Sequence, residues 1–215
     1  MNKRYWVLTA LLLPVLFGGW WGYELWTDLR VAYVLGQQTL TGEGRTYVAE
    51  SNLALQPVEV GERIGHAEDG FWIWEVEGQE QRDWVVVSGF MFPHTLYRAE
   101  EVPEVDLAQV KWDGLLLQDS QGLQKKIASS DDPSLALEAI KTAQSGAAKS
   151  GATQDERSKS FLLRVLSSEL PGLCQEMYVT VQADGDVYLH RSDIVTPLQM
   201  TSPLEKWIKT ALEIE

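Results

Sequence analysis

The chain reads as an α+β protein: an N-terminal transmembrane helix, a β-rich exported lobe, and a smaller C-terminal lobe of sheet plus helix. Three observations predict this. Residues 5–23 carry no charged side chain. Between Gln37 and Gln124 the apolar residues recur with a period near two, punctuated by glycine and proline. Near the C-terminus Leu204, Trp207, Ile208, Ala211 and Leu212 fall on one helical stripe.

The apolar run is nineteen residues long. At about 1.5 Å per residue it spans roughly 28 Å, close to the hydrocarbon thickness of a bilayer. A cleaved secretory signal shares its charged start (Lys3, Arg4) and leucine-rich centre. Cleavage needs small residues, however, and the run ends in the bulky Phe17-Gly18-Gly19-Trp20-Trp21-Gly22. An uncleaved anchor over 5–26 is therefore expected, between a cytoplasmic tail (1–4) and a helical stalk (27–36). Lipoprotein processing is excluded because the single cysteine, Cys174, lies far from the run. Lys3 and Arg4 face Glu24 and Asp28 across the run, so the positive-inside bias leaves the N-terminus in the cytoplasm and the bulk of the chain outside the cell membrane. Trp6, Trp20, Trp21 and Trp26 stand where indoles favour the headgroup layer. Gly18 and Gly22 make a G-x-x-x-G pair through which two such helices can approach as a homodimer, although glycine is common in spanning helices without dimerising them.

Without Lys3 and Arg4, the 18 basic residues fall to 16 against 31 acidic ones, so the exported part carries −15. That charge excludes nucleic acid as a partner and disfavours docking on anionic lipid. One cysteine forms no internal disulfide, so the fold must rest on apolar burial. Cys174, beside Leu170, Leu173 and Met177, reads as a buried thiol.

After the stalk, where Leu25, Leu29, Ala32 and Tyr33 keep helical spacing up to Gly36, the first lobe (37–128) holds candidate strands at 46–49, 71–76, 84–88, 107–112 and 115–118. The polar stretch 78–83 reads as a hairpin loop. Residues 129–160 turn rich in Ala, Ser, Lys, Asp and Gly: Asp132-Pro133 begins a helix reaching Lys149, and a flexible linker follows. In the C-terminal lobe (161–215), strands at 161–166, 173–182 and 186–190 surround the turn Asp184-Gly185. Ser202-Pro203-Leu204-Glu205 has capping-box spacing at the start of the last helix.

Within residues 58–99 stand a G-x-x-I-G stretch (Gly61 to Gly65), an aromatic strand ending in E-V-x-G (Glu75 to Gly78), and a second strand after Asp83-Trp84. In these features the segment resembles uncharacterised exported or membrane-anchored proteins of Gram-positive bacteria. The resemblance implies a compartment and no chemistry.

Catalytic motifs are missing. His66, His94 and His190 lack zinc-site spacing, Cys174 lacks a recognisable nucleophile context, and no G-x-S-x-G, S-x-x-K, P-loop or dinucleotide pattern occurs. The acidic groups Glu100-Glu101 with Glu104 and Asp106, Asp131-Asp132, and Asp184 with Asp186 fit loop and turn chemistry without calcium. No catalytic residue, metal ligand or cofactor is assigned. Phe71-Trp72-Ile73-Trp74 is the unusual stretch, since pleating puts Trp72, Trp74 and Val76 on one face. Either that face is core, or Trp72 and Trp74 form a platform for sugar rings or a partner's apolar side chains. The expected function is binding in the cell envelope, to an envelope protein or a cell-wall polymer. The alternative is a cell-wall hydrolase or transferase using acidic residues.

Overall fold

The computed structural model describes residues 18, 32–56, 60–67, 70–79, 82–89, 92–120, 125–145, 158–191, 194–198 and 200–214. It corrects the expected α+β class, because the chain is mostly β and contains a closed seven-stranded barrel. Among the described residues no helix is long and apolar enough to cross a membrane. The run 5–23, and Gly22 of the expected dimer face, lie outside the described residues, Gly18 alone excepted.

The barrel is built from β1 (Ala32–Leu35), β2 (Thr39–Gly42), β3 (Arg45–Ala49), β5 (Val60–Ala67), β6 (Phe71–Val76), β7 (Trp84–Gly89) and β8 (Phe92–Ala99). They run in the order β1-β2-β3-β8-β7-β6-β5, and a parallel β1–β5 pairing closes the ring. Inward residues alternate along each strand, filling the interior with Tyr33, Leu40, Tyr47, Ala67, Ile73, Val85, Val87, Tyr97 and Ala99. The expected helical stalk is thereby corrected over β1. Tyr33 is wholly buried in the barrel while Val34 next to it is 58% exposed, an alternation of two rather than a helical stripe.

The second sheet has the order β10-β9-β11-β12-β13-β14, from β9 (Gly114–Asp119), β10 (Lys126–Ser130), β11 (Lys159–Leu166), β12 (Leu173–Val181), β13 (Val187–Arg191) and β14 (Ile194–Leu198). The sequence assigned β9 to the first lobe, but β9 lies between β10 and β11 here. A short β4 (Ala54–Leu55) leaves the barrel between β3 and β5 to pair with Leu173 and Cys174 of β12. Two helices among the described residues pack on this sheet. In α1 (Pro133–Ser145), Asp132 Oδ1 accepts hydrogen bonds from the Ser134 N–H (2.9 Å) and hydroxyl (2.6 Å), the expected N-cap. The helix buries Ala136, Ala139, Ile140 and Ala143; its expected extension to Lys149 lies outside the described residues. In α2 (Ser202–Ala211), Leu204 and Ile208 are buried and Trp207 partly so. The capping box does not form: the N-cap is Thr201, whose hydroxyl donates to Glu138 of α1 at 2.7 Å.

The expected strand over 107–112 is also corrected. Asp106 accepts backbone N–H bonds from Ala108 (side chain, 3.0 Å) and Gln109 (carbonyl, 2.9 Å), winding the segment into turns. The Trp112 ring is buried, with its indole N–H donated to the Leu107 carbonyl.

One continuous core joins barrel and sheet. Val76, Trp84, Val86 and Leu96 point out of the barrel wall and pack in the same cluster as Leu117, Leu163, Leu173, Met177 and the two helices. The β6–β7 hairpin also docks by its tip, where Gly78 (φ +81°) lies against Pro171 and Gln79 Nε2 donates to the Pro171 carbonyl.

The Tyr33 ring fits because Gly42 lacks a side chain: a Cβ there would stand 2.2 Å from a ring carbon. Gly42→Ala is expected to destabilise the protein by about 1–3 kcal/mol through overpacking. Denaturant unfolding checks this as a lower midpoint with an unchanged slope.

Candidate functional site

Strand β6 presents two different faces. Phe71 and Ile73 face the barrel interior, and Trp72, Trp74 and Val76 face out. The outward face splits along its length. Val76 is buried in the shared core, and Trp74 packs against that core while donating its indole N–H to Ser88 Oγ at 2.8 Å. Trp72 belongs to neither apolar cluster and is half-buried. The structure thus separates the two tryptophans that sequence grouped: both are partly buried, but Trp74 packs in the seam and Trp72 packs against neither apolar cluster.

The surroundings of Trp72 are set by register. His66 of β5 and Ser88 of β7 lie directly opposite it, and Ala32 of β1 lies opposite His66. The Arg63 guanidinium sits 4.5 Å from the centre of the Trp72 ring, a cation–π contact. His66 Nδ1 has no hydrogen-bond partner among the described residues. Across the barrel wall the row therefore runs Ser88, Trp72, His66, Ala32, with exposed Ala32 and Val34 beyond the imidazole on β1. Such a surface can stack against a flat apolar group or a sugar ring. Arg63 and His66 were missed in the sequence because strand pairing alone brings them beside Trp72. The β-bulges between Val60 and Gly65 shift the alternation that would otherwise place them on that face.

The other polar groups weighed in the sequence take the following places. His66 and His94 are on barrel strands and His190 is on the second sheet. Among the described residues no group of three His, Cys, Asp or Glu side chains could hold a metal. Asp132 caps α1, Asp184 and Asp186 make the β12–β13 turn, and Glu104 accepts from Asn52. Cys174 is wholly buried, and burial pushes its thiol up to about 12, so it stays protonated. A second polar cluster, unseen in the sequence, gathers at one mouth of the barrel: Glu43, Arg45, Glu75, Arg82, Asp83 and Glu101, with Tyr33 and Tyr47 beneath.

No protein-family model, curated protein or solved structure matches this chain.

The split along β6 has a measurable consequence. Trp74→Ala is expected to cost about 2–4 kcal/mol, since it opens the seam and orphans Ser88. Trp72→Ala should stay within about 1 kcal/mol, the scale of an exposed cation–π contact. Equilibrium denaturation of the two variants side by side checks the difference. Cys174 should in turn resist thiol reagents at neutral pH in the native protein and react only after unfolding.

Proposed function

We propose that this chain is a binding protein of the bacterial cell envelope, held at the membrane by the apolar run 5–23 and working outside the cytoplasm. Its partner is a cell-wall polymer, whose sugar rings stack on the Trp72 face. The observation that carries this reading is the partly buried Trp72 indole under the Arg63 guanidinium, outside both apolar clusters and on a wall whose interior is already filled. A barrel packed with Tyr33, Leu40, Tyr47, Ile73 and Tyr97 offers its outer surface rather than its lumen to a ligand. The charge-free run behind Lys3 and Arg4 supports the compartment, as does the resemblance of residues 58–99 to exported Gram-positive proteins.

The binding reading is favoured over acid–base hydrolysis by the pairing of the carboxylates that the fold gathers. Glu43 and Glu75 are bonded to Arg82, and Asp83 and Glu101 to Arg45. A hydrolase needs two carboxyl groups addressed to substrate.

Co-sedimentation of the full-length protein with purified cell-wall polymer tests the proposal. The wild type should pellet with the polymer. Trp72→Ala and Arg63→Ala should weaken binding at least about tenfold, the loss expected of an interface hot spot, while melting as the wild type does. Wild-type affinity in Trp72→Ala would overturn the reading.

A further inference from the structure

The barrel mouth holds an arrangement that the Trp72 face does not use. Arg82, just ahead of β7, reaches across the opening to Glu43, in the β2–β3 turn, and Arg82 Nε donates to Glu75 Oε1 at 2.8 Å. Tyr33 directs its hydroxyl at the same Glu43 carboxylate, 3.4 Å away. Beside Tyr33, at 6.5 Å between ring centres, lies Tyr47, whose ring is wholly buried and whose hydroxyl has no hydrogen-bond partner among the described residues. That hydroxyl lies within the electrostatic reach of Arg45, Glu43, Arg82 and Glu101, so it faces the charged cluster. Burial raises both phenols above their ordinary value, with Glu43 adding to the effect at Tyr33, so both stay protonated and can donate or accept.

Two carboxylates and two phenols thus form a cup around one guanidinium, which the protein supplies from its own hairpin loop. Arg82 is held there by ion pairs that solvent reaches. Its side chain is 38% exposed, and its backbone takes φ +62°, a left-handed conformation unfavourable for a residue with a Cβ. Glu43, its partner, is also left-handed at φ +52°. The loop backbone has a separate brace: Arg45 bonds the Arg82 carbonyl (3.4 Å), Asp83 (3.0 Å) and Glu101 (2.6 Å). The Arg82 side chain can therefore swing out while the hairpin stays in place.

We propose that this mouth is a binding site for an arginine side chain of a basic partner peptide, and that Arg82 occupies it as an internal competitor. The incoming guanidinium takes over Glu43 and Glu75, as a planar fork suits paired carboxylates, and donates a further N–H to the Tyr47 hydroxyl. The formal charge of −13 on the chain attracts such a partner from a distance. This site is separate from the Trp72 face and stands or falls without it.

Calorimetric titration of the full-length protein with N-acetyl-arginine amide tests the proposal. Arg82→Gly removes the competitor, and glycine accepts the left-handed backbone without strain. It should bind the probe at least about tenfold more tightly than the wild type. Adding Glu43→Gln and Glu75→Gln to Arg82→Gly should return the affinity to the wild-type level or below. If Arg82→Gly binds no more tightly, or if the gain survives both glutamine substitutions, the proposal is overturned. Should Arg82→Gly fail to fold, Arg82→Lys decides. A single ammonium competes less well than the fork, so its affinity should exceed that of the wild type, and an unchanged affinity overturns the proposal.

Discussion

The structure depends on one hairpin being buried on both sides. Strands β6 and β7 send Ile73, Val85 and Val87 into the barrel and Val76, Trp84 and Val86 into the core shared with the second sheet. This explains why Trp84-Val85-Val86-Val87 is a continuous apolar run where most strands of the barrel alternate. At about 1.5–3 kcal/mol for each fully buried aliphatic side chain, the hairpin is worth more than any polar contact in the fold. Barrel and second sheet are therefore coupled through a wall they share, and the tip contact on Pro171 and the excursion of β4 follow from that proximity.

The same constraint creates the surface attributed to wall binding. Cover over the outer face of β6 is complete at Val76, partial at Trp74 and absent from the apolar clusters at Trp72. An indole left at the edge of a core needs another partner for its face, and Arg63 supplies a cation there. Trp72 and Arg82 mark opposite ends of β6, about 15–20 Å apart along a strand of that length. One hairpin thus carries two chemically different surfaces, an aromatic one at its start and an ionic one beyond its end.

The ionic end is also where the chain accepts backbone strain. Glu43 and Arg82 are two of the three described non-glycine residues with positive φ, and they are bonded to each other. Strain of this kind persists where surrounding contacts over-determine it, here two arginines and four carboxylates across two hairpin turns and the end of β8. Ion pairs this exposed add little to stability, so a ligand-binding role explains the arrangement better than a stabilising one.

Local chemistry determined the elements that were legible in the sequence. Stretches rich in β-branched and aromatic residues such as 71–76 and 84–88 became strands, Asp132-Pro133 started α1, and Asp184-Gly185 made its turn, because each is decided within a few residues. Where two local readings were equally good, tertiary contact chose between them. Ala32 to Leu35 satisfies a helical spacing as well as a strand, and became β1 because Tyr33 fills the barrel and β5 offers a parallel edge. The α+β expectation failed for the same reason, since barrel closure is a pairing of strands some thirty residues apart. Trp72 and Trp74 were legible as unusual and indistinguishable as a pair; only the limit of the second sheet's cover packed one in the seam and left the other outside both apolar clusters. The Glu43–Arg82 contact joins residues 39 positions apart. A linear sequence encodes which groups can pair, but register and closure decide which of them meet.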